Sequence, residues 1–355
     1  MKRALCKLFF LLATSAPAFA QAEDPGYTLH VYTDRIQFAA LILDKDAQPL
    51  EHLRREDIDL SLDSGKSFHP TDLRVEGDDP MELAVLLEDA NSQTPFLNAF
   101  IEQFAALAPT LLKPQDSLRI FAVDCSVFET QPSFSNPTAA QINSLIGQLR
   151  HREGFHPANG KRDCHARLPL RDAELTIASW LQHQPGRRVL LVVSQGDDGR
   201  SKSDASTVRD FLATSGIAVV GVRDRVHFWM NNRGLPFSLQ TLNAPHAYAT
   251  DGMNDELDQL AAGTGGFVMA SEPDVLGADI SEIFRLLRAR YIVSYPRPHR
   301  DVAGVHHIEI ATRGGYTVRI TGATAPLVTK EQLEDPNAVP SADSPAIYGK
   351  RKPLR

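Results

Sequence analysis

The sequence predicts an α/β fold: a doubly wound, mostly parallel sheet with an accessory β module built from N- and C-terminal segments. Two observations carry this. From Met81 onward, short apolar runs of strand length alternate with segments whose apolar residues recur at helical spacing. On either side of that region the chain shows strand-like patterns and no convincing helix.

The first twenty residues, MKRALCKLFFLLATSAPAFA, place Lys2, Arg3 and Lys7 before an apolar run and end in Ala18-Phe19-Ala20. That is the order of a secretory signal over 1–20, and its apolar core is too short to span a bilayer. Cys6 has no lipobox-like surroundings, so lipidation is not expected. Export to the periplasm or the medium is. Losing the leader takes the formal charge from −7 to about −10. A balance this acidic excludes the basic face of a nucleic-acid binder, and no later segment is a membrane span.

Residues 26–80 form the N-terminal β segment. YTLHVYTDRIQFAALILD gives strand pattern, and two further strands flank the turn chemistry at Asp63-Ser64-Gly65. The alternating region, 81–290, opens with a buried strand at 83–89 and a helix at 94–112. A second buried strand at 116–124 and an edge strand at 127–134 follow. Pro137 opens an amphipathic helix at 137–149, and 168–182 is helical with Leu170, Leu175, Ile177, Ala178 and Leu181 largely on one side. The run at 188–196 is a central strand. Next come a helix at 204–215, a strand at 216–222 and a long loop over 223–250. A helix ending near Gly263, a strand at 267–270 and a helix at 278–291 close the unit. Three strands over 291–322 are too few to stand alone and are expected to pack with the N-terminal segment. Residues 323–355 are Pro-, Asp- and Ser-rich and read as a disordered tail.

Ligands of such sheets bind at the carboxyl ends of strands, where LAVLLED delivers Asp89. Two cysteines survive processing, Cys125 and Cys164, and an exported protein can pair them. Two unpaired thiols are the alternative. The loop 151–166 holds His151, His156, Asp163, Cys164 and His165. His151 and His156 have one zinc-like spacing, but Cys164 and His165 are adjacent, so a polar surface loop is the simpler reading. His306 and His307 on a strand would point to opposite sides. No nucleophile elbow, phosphate loop, dinucleotide fingerprint or His-Glu-x-x-His occurs, and no enzymatic activity is expected. Trp229, Met230, Phe237 and Tyr248 among polar residues suit either an exposed recognition surface or a cover for the sheet's edge.

Several stretches in this order resemble the von Willebrand factor type A-related proteins common in acidobacteria. They are DRIQFAALILDKDAQPLEHLRREDIDLSLDSGK, LAVLLEDANSQ, RVLLVVSQGDDGRS, LDQLAAGTGGFVM and LLRARYIVSYPRPHRDVAGVHHIEIATRGGYTVRITG. The resemblance covers nearly all of the chain after the leader and implies a metal-ion-dependent adhesion site. There, two serines, a threonine and a second acid would join Asp89. This chain has Asn91 and Gln93 for the serines, Arg167 or Leu168 near the threonine, and Ser194-Gln195-Gly196 with Gln195 for the acid. One of five expected ligands is intact, so the resemblance implies a degenerate site. Asp89, Asn91, Gln93, Ser194 and Asp197 are the residues that could still hold Mg2+ or another divalent cation, and Glu88, Asp124 and Asp198 are other acids expected at this end. No cofactor is expected. The implied role is an exported interaction protein of adhesion or scaffold type, binding an exported or cell-envelope protein through the loops at the strands' carboxyl ends. The alternatives are metal-dependent binding through a rebuilt Asp89/Asp197 site, or a zinc-dependent hydrolase or carrier using the His151–His165 loop.

Overall fold

The computed structural model describes residues 35–88, 95–123, 127–129, 134–150, 169–196, 198–199, 201–225, 247–248, 256–296 and 307–321. The leader, the tail, Cys125, Cys164 and the 151–168 loop lie outside them.

The strands are β1 (Arg35–Leu43), β2 (Ile58–Leu62), β3 (Asp72–Val75), β4 (Met81–Glu88), β5 (Ser117–Val123), β6 (Val127–Glu129) and β7 (Phe134–Ser135). They continue as β8 (Arg187–Val193), β9 (Ile217–Asp224), β10 (Ala247–Tyr248), β11 (Phe267–Ser271), β12 (Tyr291–Pro296), β13 (Ile308–Thr312) and β14 (Thr317–Thr321). The helices are α1 (Pro95–Leu111), α2 (Ala139–Arg150), α3 (Leu170–Leu181), α4 (Ala205–Thr214), α5 (Glu256–Gly263) and α6 (Leu276–Arg288).

The central sheet runs β10-β11-β9-β8-β4-β5-β6, with β7 also on β5. Strands β11, β9, β8, β4 and β5 are parallel, and β10, β6 and β7 are antiparallel additions at the two sides. The segment predicted as one edge strand at 127–134 contributes two short strands, β6 and β7, to the same neighbour among the described residues. The mostly parallel, helix-covered sheet expected from the sequence is present.

Side chains alternate across this sheet, so each strand feeds two cores. Leu83, Val85 and Leu87 of β4 pack with α1, α2 and α6. Ala84 and Leu86 pack with α3, α4 and α5. A parallel sheet covered on both faces needs near-continuous apolar strands, and β4, β8 and β9 supply them.

Entry into β11 depends on Thr264-Gly265-Gly266. The Thr264 hydroxyl accepts the Val219 N–H at 3.1 Å and donates to Leu260 O at 2.9 Å. Gly265 turns at φ +76°, and a Cβ on Gly266 would lie 1.8 Å from Val219 O. The end of α5 therefore sits directly against β9.

A second sheet has the order β14-β1-β12-β3, entirely antiparallel, and β13 pairs with β2 beside it. Ile36, Phe38, Ile58, Leu60, Val293 and Tyr295 fill the space between them. Phe38 and Phe68 meet the Tyr295 ring edge-on at 6.3 and 5.4 Å. His307 precedes β13 instead of lying within it; it is exposed, and its N–H donates to Asp63 Oδ1 at 2.8 Å.

Candidate functional site

The chain leaves β4 through α1 to β5 on one side, and later enters β8 on the other side of β4. The connectivity reverses between β4 and β8, which is the crevice where open α/β sheets bind ligands. In register, Leu87 lies beside Val193, so Glu88 and Ser194 are the next pair. Both continue the side-chain series of Leu86 and Val192, facing α3, α4 and α5.

These two residues form a clasp. The Ser194 hydroxyl donates to Glu88 Oε2, and the Gln195 N–H donates to the same oxygen at 3.1 Å. The Gly196 N–H closes back on Ser194 Oγ at 2.9 Å, with Gly196 at φ +87°. The Gln195 amide oxygen is buried and accepts no hydrogen bond among the described residues.

Two residues further on, Asp198 has a fully buried side chain. Its Oδ1 accepts the Leu170 N–H at the start of α3 at 2.9 Å and the Ser201 hydroxyl at 2.6 Å. Its Oδ2 takes Arg171 Nε at 2.7 Å and a second guanidinium nitrogen at 2.5 Å. Asp172 stitches the same loop to α3, accepting the Lys202 and Ser203 N–H groups at 3.0 Å each. Although its burial opposes the shift, those bonds hold its carboxyl below the usual range. Asp198 and Asp172 therefore pin the β8–α4 loop to α3.

Of the residues the sequence nominates for a cation, only Ser194 is described; Asp89, Asn91, Gln93 and Asp197 lie outside, as do Trp229, Phe237 and the 151–168 loop. Tyr248 is placed in β10, paired with Met269. The described donors at the crevice are the Glu88 carboxylate, already accepting two hydrogen bonds, the Ser194 hydroxyl and the Gln195 amide. One committed carboxylate with neutral oxygens does not by itself fit a tight site for a hard divalent cation. Among the described residues no three His, Cys, Asp or Glu side chains are placed to share a metal.

Beside the clasp is a recess between α3, α4 and α5, lined by Arg171, Glu174, Gly196, Arg209, Glu256 and Leu260, among others. Glu174 is 3% exposed. Burial pushes its carboxyl up to about 8, helped by Asp198 and Glu256 and opposed by Arg171. Glu174 is not among the sequence-based site candidates. The signal was there: Leu170, Glu174, Ile177, Ala178 and Leu181 form one helical stripe, and a carboxylate occupies its second position.

No family model matches the chain, and no curated protein matches it. Among solved structures, proximal thread matrix protein 1 from the mussel byssus is 12% identical with a TM-score of 0.39, over 63% of this chain and 49% of that one. The chain thus spans about half of the mussel protein. The von Willebrand factor type A structure from Catenulispora acidiphila is 10% identical with a TM-score of 0.40, over 78% and 75%. An aerotolerance-related membrane protein from Bacteroides fragilis is 12% identical with a TM-score of 0.36, over 58% and 98%. The fold assignment rests on strand order and register, not on these likenesses.

Proposed function

We propose that the chain is an exported, non-enzymatic interaction protein that binds a protein partner through the loops at the carboxyl ends of its parallel strands, without requiring a metal ion. The observation that carries this is the Glu88–Ser194 clasp at the topological switch. The crevice has the position of a binding site, yet its acid and hydroxyl are spent on each other and on the Gln195 N–H. Asp198, the nearest described acid after them, is spent on Arg171 and α3. What these bonds achieve is a rigid platform from which the following loops project, and loops on a rigid scaffold are where recognition concentrates. No helix among the described residues is long and apolar enough to cross a membrane.

The test uses the mature protein as bait on an envelope or secreted fraction, with and without a chelator. Capture of one partner that survives chelation, and is lost in Trp229→Ala with Phe237→Ala, supports the reading. Tight Mg2+ binding abolished by Asp89→Ala overturns the metal-independent part. Stoichiometric zinc, lost in His151→Ala with His156→Ala, overturns the whole.

A further inference from the structure

The recess between α3, α4 and α5 contains an acid with no hydrogen-bond partner among the described residues. Glu174 is 3% exposed and lines it, and it accepts no hydrogen bond among the described residues. Burying a carboxyl this way is costly unless something pairs with it. The groups that face it come from every neighbouring element. Arg171 lies on its own helix, Arg209 on α4, Glu256 on α5 and Asp198 in the loop after β8. Both guanidinium groups already have carboxylates. Arg171 bonds Asp198 and lies 3.6 Å from Glu256, and Arg209 bonds Asp210 at 3.3 Å. The surplus is acidic: with Arg209 matched by Asp210, Arg171 alone is set against Asp198, Glu256 and Glu174.

Size narrows the ligand further. The interior offers about 20 Å3 for the centre of a water-sized group, and roughly 10–15 Å3 of such space holds one water. An ammonium head, close to a water in size, is the cation that such a space suits best. Leu170, Leu257 and Leu260 also line the recess and suit an alkyl stem.

We propose that this recess binds one primary ammonium group, from a lysine side chain or a free alkylamine, with the Glu174 carboxylate as its buried acceptor and Glu256 at its rim. An anion would meet Glu256 and the buried Asp198 there, with both guanidinium groups already bonded to carboxylates. Because Glu174 is largely protonated in the empty recess near neutrality, binding the cation sends that proton to solvent. No bond other than the carboxyl O–H breaks.

The experiment is calorimetric titration of the mature protein with butylammonium chloride and, separately, with Nα-acetyl-lysine N-methylamide. It is run in buffers of unlike ionisation enthalpy, with butylguanidinium as control. Affinity should rise roughly fifty-fold from about pH 6 to about pH 8, with nearly one proton released per amine at the lower pH. Glu174→Gln should weaken binding at least about tenfold and end the proton release. Whichever of the two amines binds more tightly identifies the source. The proposal is overturned if neither amine binds, if butylguanidinium binds as well, or if Glu174→Gln matches the parent. Should that variant not fold, proton release in the unmodified protein decides: binding with no proton released at the lower pH also overturns it. No protein partner is needed, so failure here leaves the reading of the loop rim standing.

Discussion

Glu76 and Arg290 form a buried two-point ion pair where the two sheets meet. Arg290 Nε and Nη2 donate to Glu76 Oε2 and Oε1 at 2.7 and 3.1 Å, and the two side chains are 2% and 3% exposed. Arg187, the first residue of β8, adds a third contact to Glu76 Oε2 at 3.4 Å. Glu76 follows β3, Arg290 precedes β12, and Arg187 opens a central-sheet strand, so one carboxylate ties both sheets together. Removing it leaves two buried guanidinium groups short of a counter-charge. Glu76→Ala should therefore lose about 3–5 kcal/mol. Urea unfolding followed by two probes, one in each sheet, should change from one shared transition to two. A single transition at an unchanged midpoint would contradict this account.

Asp198 offers a sharper contrast. Proximity to the crevice suggests a replacement metal ligand, whereas its bonds to Leu170, Arg171 and Ser201 make it the anchor of the first turn of α3. Asp198→Ala should lose about 3 kcal/mol, because it leaves Arg171 with Glu256 alone and reopens the Leu170 N–H. Isothermal titration with Mg2+ or Mn2+ should give the same result for parent and variant. A change in metal affinity, with stability unaltered, would return Asp198 to the cation site.

Ser194→Ala removes the hydroxyl donor of the clasp while leaving the Gln195 N–H on Glu88. The expected loss is about 1–2 kcal/mol, read from the urea midpoint at neutral pH. Partner capture should weaken as the loop after β8 loosens. Unaltered stability would mean that the clasp does not hold the crevice in solution.

The fold was legible because its strongest signals are period and length. Runs such as Val189–Val193 have the length and uniform hydrophobicity of a strand covered on both faces, and α1 to α6 recur at helical spacing between them. Register, and therefore Glu88 beside Ser194, is not a local property: it follows from pairing β4 with β8, more than a hundred residues on. The carboxyl-end location of the site could be inferred from connectivity, but the use of its polar groups could not. Asp198 and Ser194 look like ligands in sequence, and what the sequence hides is that Arg171 and Glu88 reach them from other elements. Glu174 was hidden differently, a single acid in an apolar stripe, which a count of apolar positions discards.

The Thr-Gly-Gly segment has a purely steric explanation that a substitution can check. A Cβ at Gly266 would overlap Val219 O, at 1.8 Å, on a strand that cannot move without breaking its pairing with β8 and β11. Gly266→Ala should cost more than about 4 kcal/mol or prevent folding. Gly216→Ala is the control. Its φ of +64° is strained for alanine, but nothing lies within 4 Å, so the cost should be about 1 kcal/mol. Equal losses in thermal melts of the two variants would show that backbone conformation, not the close approach of α5 to β9, governs this segment.

Glu174 should also shape the stability of the protein with pH. In the unfolded chain its carboxyl titrates near 4.5, and in the fold burial raises it to about 8. Between those values the folded state keeps a proton that the unfolded state has released. Stability from this group is full below about pH 4.5 and declines as pH rises toward 8. Glu174→Gln lacks that slope, so at about pH 8 it should exceed the parent by about 2–4 kcal/mol and match it more closely near pH 5. Asp172, whose carboxyl is shifted downward, loses its contribution only as pH falls through the acid range, and the two effects separate. Urea midpoints of both proteins across the window measure the difference, and saturating butylammonium should shrink it by stabilising the parent alone. A difference that stays constant with pH would show that Glu174 is ionised and partnered in the fold. That would remove the orphaned carboxyl on which the amine site stands.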